Sequence, residues 1–158
     1  MTMATTVRDS FPQRSYVTRA GHKLEAALNA FSVDPTGLVC ADLGSHEGGF
    51  VDCLLQHGAG RVYSIDTSYG TLAWKLRRDP RVGVMERTNA MHATLPEPVD
   101  LVTIDVGWTR QEHVLPNVAR MLKPRGRVIT LVKPHYEVDG SQLVDGVLPA
   151  EHVGGVVE

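Results

Sequence analysis

The sequence predicts an α/β fold, a doubly wound and mostly parallel sheet with helices on both faces. Three observations predict it. Apolar runs and amphipathic segments alternate along the chain in the order β-α-β-α-β-β-α-β. The apolar runs are near-continuous, as in strands covered on both faces. Several of them end on a charged residue, and the carboxyl ends of parallel strands are where open sheets bind ligands.

Taken in order, residues 1–14 are polar and read as a flexible tail. Arg19 to Phe31 reads as an amphipathic helix, with Leu24, Ala27, Leu28 and Phe31 on one face. Pro35 and Gly37 end that segment. Leu38 to Leu43 is a buried strand that runs into glycine. Phe50 to His57 is a helix stopped by Gly58 and Gly60. Arg61 to Asp66 is a second strand, and Leu72 to Arg78 a short helix ended by Asp79-Pro80. Val82 to Met85 is a weak third strand and Val99 to Asp105 a strong fourth. Gln111 to Leu122 is a helix, Lys123 to Gly126 a turn, and Arg127 to Lys133 a fifth strand. Pro149 to Glu158 could open another helix. A complete sheet of this type needs further strands, so the domain of residues 15–158 is expected to lack its C-terminal strands.

Composition narrows the function classes. The 158 residues suffice for one domain with one sizeable core. No apolar run approaches the ~20 residues of a membrane span, and the first residues lack the apolar core of a secretion signal. Cys40 and Cys53 are too few for a disulfide framework and read as buried thiols in a reducing cytosol. The histidines show no metal-ligand spacing. Net charge is −2, so the chain as a whole is not a basic nucleic-acid binder. Local basic clusters occur at Arg14, Arg19 and Lys23 and at Lys75, Arg77, Arg78 and Arg81; such a patch can bind phosphates, but each cluster alone reads first as a solvated helix face.

The most informative segment is the loop between the first strand and its helix. It reads Asp42-Leu43-Gly44-Ser45-His46-Glu47-Gly48-Gly49-Phe50. Gly44 permits a sharp turn. Gly48 and Gly49 remove side chains where backbone is expected to approach a ligand, and the helix start offers free N–H groups. The spacing differs from the G-x-G-x-x-G of dinucleotide sites and suits a ligand without pyrophosphate, such as S-adenosylmethionine. Asp66 stands where a carboxylate accepts hydrogen bonds from ribose hydroxyls, with Thr67 beside it. Asn89, followed by Ala90, stands where adenine would lie, although Asn is also a common turn residue. The candidate cofactor contacts are therefore Asp42, Gly44, Ser45, His46, Gly48, Gly49 and Phe50, then Asp66, Thr67, Asn89, Ala90 and Asp105. His46 reads as polar lining.

Asp105 ends the fourth strand and Lys133 the fifth, and Lys23 lies on the helix that could lean over the same edge. An Asp orients a lysine, and a second cation with partial desolvation lowers a lysine pKa, so that it can help position or deprotonate a hydroxyl. Each residue alone equally reads as a salt-bridge partner. Trp108 could stack on a base or pack in the core, whereas Trp74 reads as packing.

The segments Tyr16 to Leu28, Asp42 to Asp52, Arg61 to Asp66, Gly70 to Arg77, Glu86 to Ala90, Asp105-Val106 and Leu131 to Glu137 resemble, in order, the TlyA-type, haemolysin-like ribosomal RNA methyltransferases. These belong with the FtsJ-like ribose 2′-O-methyltransferases. The resemblance spans about residues 15–137. It implies a Rossmann-like domain, S-adenosylmethionine as cofactor, a cytoplasmic location, and methyl transfer to a ribose 2′-hydroxyl of ribosomal RNA. It also implies that Lys23, Asp105 and Lys133 match three members of the family's Lys-Asp-Lys-Glu tetrad.

Three departures stand against this. No Gly-Asn-x-Glu-like segment supplies the fourth member. Residues 1–14 are too few for the family's S4-like RNA-binding domain. His46-Glu47 and Gly107-Trp108 replace the family's Ser-Thr and Ser-Phe. Two other readings therefore stay open: a non-catalytic cofactor or RNA-binding module, and a methyltransferase acting on something other than RNA. The N-P-P-Y type motif of amino-directed nucleic-acid methyltransferases is absent; Asp105-Val106-Gly107-Trp108 stands there instead.

Overall fold

The structure is a computed structural model and describes residues 14–144 and Ala150. Five parallel strands form one sheet in the order β3-β2-β1-β4-β5. They are β1 (Val39–Leu43), β2 (Arg61–Ile65), β3 (Val82–Met85), β4 (Val99–Ile104) and β5 (Leu122–Thr130). The helices are α1 (Ala20–Ala30), α2 (Gly49–Gln56), α3 (Trp74–Arg77), α4 (Gln111–Met121) and α5 (Pro134–Glu137).

The near-continuous apolar runs become strands buried on both faces. Along β1, Cys40 faces a cluster built with Leu24 and Leu28 of α1 and Val51 and Leu54 of α2. Its neighbours Ala41 and Leu43 face a second cluster built with Val114, Val118 and Met121 of α4. The two-residue period of the strand thus divides the core into two layers. After β3 the chain crosses to the other side of β1 to lay down β4. The strand order reverses there, and a crevice opens at the carboxyl ends of β1 and β4.

Two polar devices tie the layers together. Asp52, buried in the first turn of α2, accepts the Val17 N–H (2.9 Å) and the Lys75 ammonium (3.0 Å) on Oδ2. Glu137 of α5 accepts the Gln111 N–H at 3.2 Å and so caps α4 from a distance.

Four sequence expectations are corrected. Lys123–Gly126 is an excursion within β5, which pairs Leu122 with Val99 and then Arg127 with Leu101; Arg125 takes a positive φ of 68° in that excursion. The strand ends at Thr130, so Lys133 lies three residues beyond it. The third helix is shorter than its pattern, because Leu72 enters the core before the helical turn begins. Trp74 is not packing but 71% exposed, since Leu72 and Leu76 already cover that part of the core. Pro149 to Glu158 and residues 1–13 lie outside the described residues, Ala150 excepted. Among the described residues no helix is long and apolar enough to cross a membrane.

Candidate active site

A cavity of about 430 Å3 occupies the crevice, within the range of small-ligand sites. Its walls come from the β1–α2 loop, the residues after β2, β3 and β4, the start of α1, and Lys133.

The β1–α2 loop is shaped by close protein contacts. Gly44 has φ +83°, and a Cβ there would meet the Asp105 carbonyl oxygen at 2.4 Å. The Gly44 and Ser45 N–H groups both donate to the Ile65 carbonyl (2.9 and 3.1 Å), which joins the ends of β1 and β2. The expectation that Gly48 and Gly49 clear space for a ligand is corrected. A Cβ on Gly48 would strike Leu76 and Leu72, and one on Gly49 would strike the Thr18 hydroxyl and Ala20. Both glycines admit other parts of the protein, and only Gly49 lines the cavity. Ser45, His46 and Phe50 line it as expected.

Asp42 is buried beneath this loop. Its Oδ1 accepts the Thr103 hydroxyl at 2.7 Å, while Oδ2 has no partner. Burial raises its pKa to about 7 despite the Thr103 bond. Asp66 stands at the next strand end. Burial raises its pKa, but bonds from the Ser68 hydroxyl and N–H (2.6 and 2.8 Å) and the His46 N–H (2.8 Å) outweigh it and leave the carboxyl below the ordinary range. An ionised carboxylate has about four acceptor sites, so Asp66 retains capacity for a ligand hydroxyl. Thr67, Asn89 and Ala90 line the same end. The Asn89 side-chain Oδ1 accepts the Met91 N–H (2.9 Å) in a turn, which leaves its side-chain NH2 for a ligand.

Asp105 and Lys133 form the opposite end. Lys133 Nζ lies 2.7 Å from Asp105 Oδ1 and 3.5 Å from the Val106 carbonyl. The first contact is an ion pair by distance but lacks hydrogen-bond alignment, so Oδ1 remains without a directed partner. Lys133 Nζ is also 5.8 Å from the centre of the Tyr136 ring, and that ring lies 5.2 Å from Trp108. Trp108 is 89% exposed on a backbone with φ +58°. Core packing is thereby excluded for it, and the indole stands in solvent next to the Tyr136 ring.

Lys23 is not brought into this cavity. It is exposed on α1, one turn beyond Ala20, which does line the cavity. Sequence reasoning also missed Thr18, Glu47, Thr88, Thr109 and Val114 as lining residues. Thr18 had a legible signal, because the bare Gly49 backbone has to meet some neighbour.

The electrostatics select the ligand class. Asp42, Glu47, Asp66 and Asp105 line the cavity against one lysine, Lys133. This field disfavours a pyrophosphate and favours a cationic ligand. S-adenosylmethionine carries a sulfonium and an ammonium beside its carboxylate. The unpartnered Asp42 and Asp105 oxygens fit the former groups, and the first N–H groups of α2 fit the latter.

Comparisons with known proteins agree with this geometry. A family model for FtsJ-like methyltransferases matches residues 16–152. The chain is 43% identical over 149 residues to the "16S/23S rRNA (cytidine-2'-O)-methyltransferase TlyA" of Mycobacterium tuberculosis, covering 92% of this chain and 54% of that protein. It is 35% identical over 135 residues to "Hemolysin A" of Brachyspira hyodysenteriae, covering 83% and 56%. The chain thus spans about half the length of these curated relatives. A solved Streptococcus thermophilus structure described as a hemolysin superposes with a TM-score of 0.88 at 34% identity, over 92% of this chain and 55% of that one. A Mesorhizobium loti S-adenosylmethionine-dependent methyltransferase superposes with a TM-score of 0.61 at 23% identity, which bears on the fold alone. The cofactor that this methyltransferase family goes with is S-adenosylmethionine. With the matched model covering most of its length, the chain belongs to the FtsJ-like methyltransferase family.

Proposed function

We propose that this protein transfers a methyl group to a ribose 2′-hydroxyl of ribosomal RNA, in the cytoplasm. The carrying observation is the Asp105–Lys133 ion pair at one end of a carboxylate-lined cavity. The name of the Mycobacterium tuberculosis relative supports the same acceptor.

S-adenosylmethionine supplies, when bound, a methyl group already activated by its sulfonium. The chain's own residues have three tasks. Asp42, Asp66 and Asn89, with the β1–α2 loop, hold the cofactor. Asp105 holds the Lys133 side chain at the edge of the cavity. Lys133 Nζ donates a hydrogen bond to the acceptor hydroxyl oxygen and orients its free lone pair toward the methyl group, with the hydroxyl proton leaving to solvent. Trp108 offers a face on which the acceptor base stacks. Lys23 is exposed on α1 outside this cavity lining.

Incubating the full-length protein with labelled S-adenosylmethionine and ribosomal RNA tests this reading. Label is expected in RNA and should disappear after ribonuclease treatment. Turnover that survives nuclease treatment of every substrate would favour a non-RNA acceptor. Tight cofactor binding without any transfer would favour a binding module, a reading to which the position of Lys23 gives some support.

A further inference from the structure

Both tryptophans of this chain stand in solvent. Trp108 belongs to the site already described. Trp74 does not, and neither does Tyr69, which is 70% exposed on the same segment between β2 and α3. That segment is firmly held. The Ser68 hydroxyl and N–H donate to Asp66, the Gly70 N–H donates to Glu86 Oε1 (2.9 Å), and the Ala73 N–H donates to the Glu47 carbonyl (3.1 Å). Leu72 and Leu76 are buried in the core. A segment anchored this way, yet exposing two large rings, presents a surface rather than a frayed loop.

The charges around these rings are unequal. Glu86 is taken by Arg77, Asp79 by Arg81 and Asp52 by Lys75. The exposed Arg78 and Arg87 have no carboxylate within 4.0 Å among the described residues. Arg87 sits 4.4 Å over the Tyr69 ring, which stays 70% exposed beside it. The remaining nearby acid, Glu47, lines the cavity.

The position of the patch matters as much as its chemistry. Thr67 and Thr88 line the cavity, and the Arg87 N–H donates to the Ser68 carbonyl (3.1 Å). Tyr69 and Arg87 therefore continue the rim of the cavity on the β2–β3 side. Trp108 and Lys133 stand on the β4–β5 side. Open rings beside unpaired guanidiniums match unpaired bases beside phosphates. A site for phosphate alone needs no rings, and a purely apolar partner gives the two guanidiniums no counter-charge.

We infer that Tyr69, Trp74, Arg78 and Arg87 form a second RNA contact, which stacks unpaired bases and holds phosphates of the strand away from the acceptor nucleotide. This rests on the RNA reading above. The test uses the full-length protein with ribosomal RNA, measuring cofactor affinity, KM for RNA, kcat and the salt dependence of RNA binding. Tyr69→Ala and Trp74→Ala are each expected to raise the RNA KM roughly 5- to 160-fold, the range of one lost base stack, with kcat and cofactor affinity unchanged. Tyr69→Phe and Trp74→Phe keep a ring and should restore KM. Arg78→Gln and Arg87→Gln should each lower the salt slope by about 1. Unchanged KM and slope in an otherwise active enzyme overturn the inference and leave the RNA reading standing. Phe variants as impaired as the Ala variants also overturn it, since stacking would not be the cause. A wild-type protein that neither binds nor methylates RNA overturns the RNA reading itself.

Discussion

Asp42→Asn keeps the shape of a buried side chain and removes its charge. Either side chain can accept the Thr103 hydroxyl on Oδ1 and leaves one atom unpartnered, so those terms largely cancel. The pKa remains. In the folded protein it is raised from 3.8 to about 7, mainly by burial. Folding thus favours the neutral acid. The stability this carries is complete below about pH 4 and is lost as pH rises through about 7. The full difference corresponds to about 4 kcal/mol as a ceiling. In the absence of cofactor, Asp42→Asn should therefore match the wild type near pH 4. Near pH 8 it should melt higher, by at most about 8–16 °C for a domain of this size. Its affinity for S-adenosylmethionine should fall, because the charge that faces the cationic ligand is gone. The assay is thermal unfolding of both proteins from pH 4 to 8.5, with calorimetric titration of the cofactor. A melting difference that does not change with pH, or a wild type more stable than the variant near pH 8, would refute the reasoning.

Other perturbations probe different links. Gly44→Ala places a Cβ 2.4 Å from the Asp105 carbonyl at a φ of +83°; it should destabilise the domain by about 1–3 kcal/mol in urea unfolding and weaken cofactor binding. Asp52→Ala removes the acceptor of the Val17 N–H and the partner of the half-exposed Lys75 and should cost about 1–3 kcal/mol, with faster proteolysis ahead of α1. Burial pushes the Cys40 and Cys53 thiols up to about 12; neither should react with a disulfide reagent near pH 8 until denaturant is added, and prompt reaction would contradict their burial.

What could be read from the sequence followed the physics of burial. Runs such as Val99 to Asp105 are apolar because both faces are covered, so β4 was legible without a partner. The address of Asp66 and Asp105 followed from strand ends, and both line the cavity. Residues whose role depends on distant neighbours were not legible. Gly48 looked like a ligand cradle and instead admits Leu72 and Leu76. Trp74 looked like core, but Leu72 and Leu76 had already filled that space. Lys133 looked like the end of the fifth strand, yet pairing stops at Thr130 and the Lys133 ammonium lies against Asp105. Lys23 carries a family pattern that places it near the site in sequence but not in this cavity. Periodicity describes a face of one element; it does not say what another element brings to that face.

The central claim concerns where the methyl group goes and which side chain directs it there. Ribosomal RNA treated with the full-length wild type and with Lys133→Ala should be hydrolysed in alkali, because a methylated 2′-hydroxyl protects its own phosphodiester bond. Protection at a discrete nucleotide with the wild type, and its loss with Lys133→Ala while cofactor affinity is kept, is the result predicted. Methyl groups recovered on bases with no alkali-resistant bond, or protection undiminished in Lys133→Ala, would contradict it.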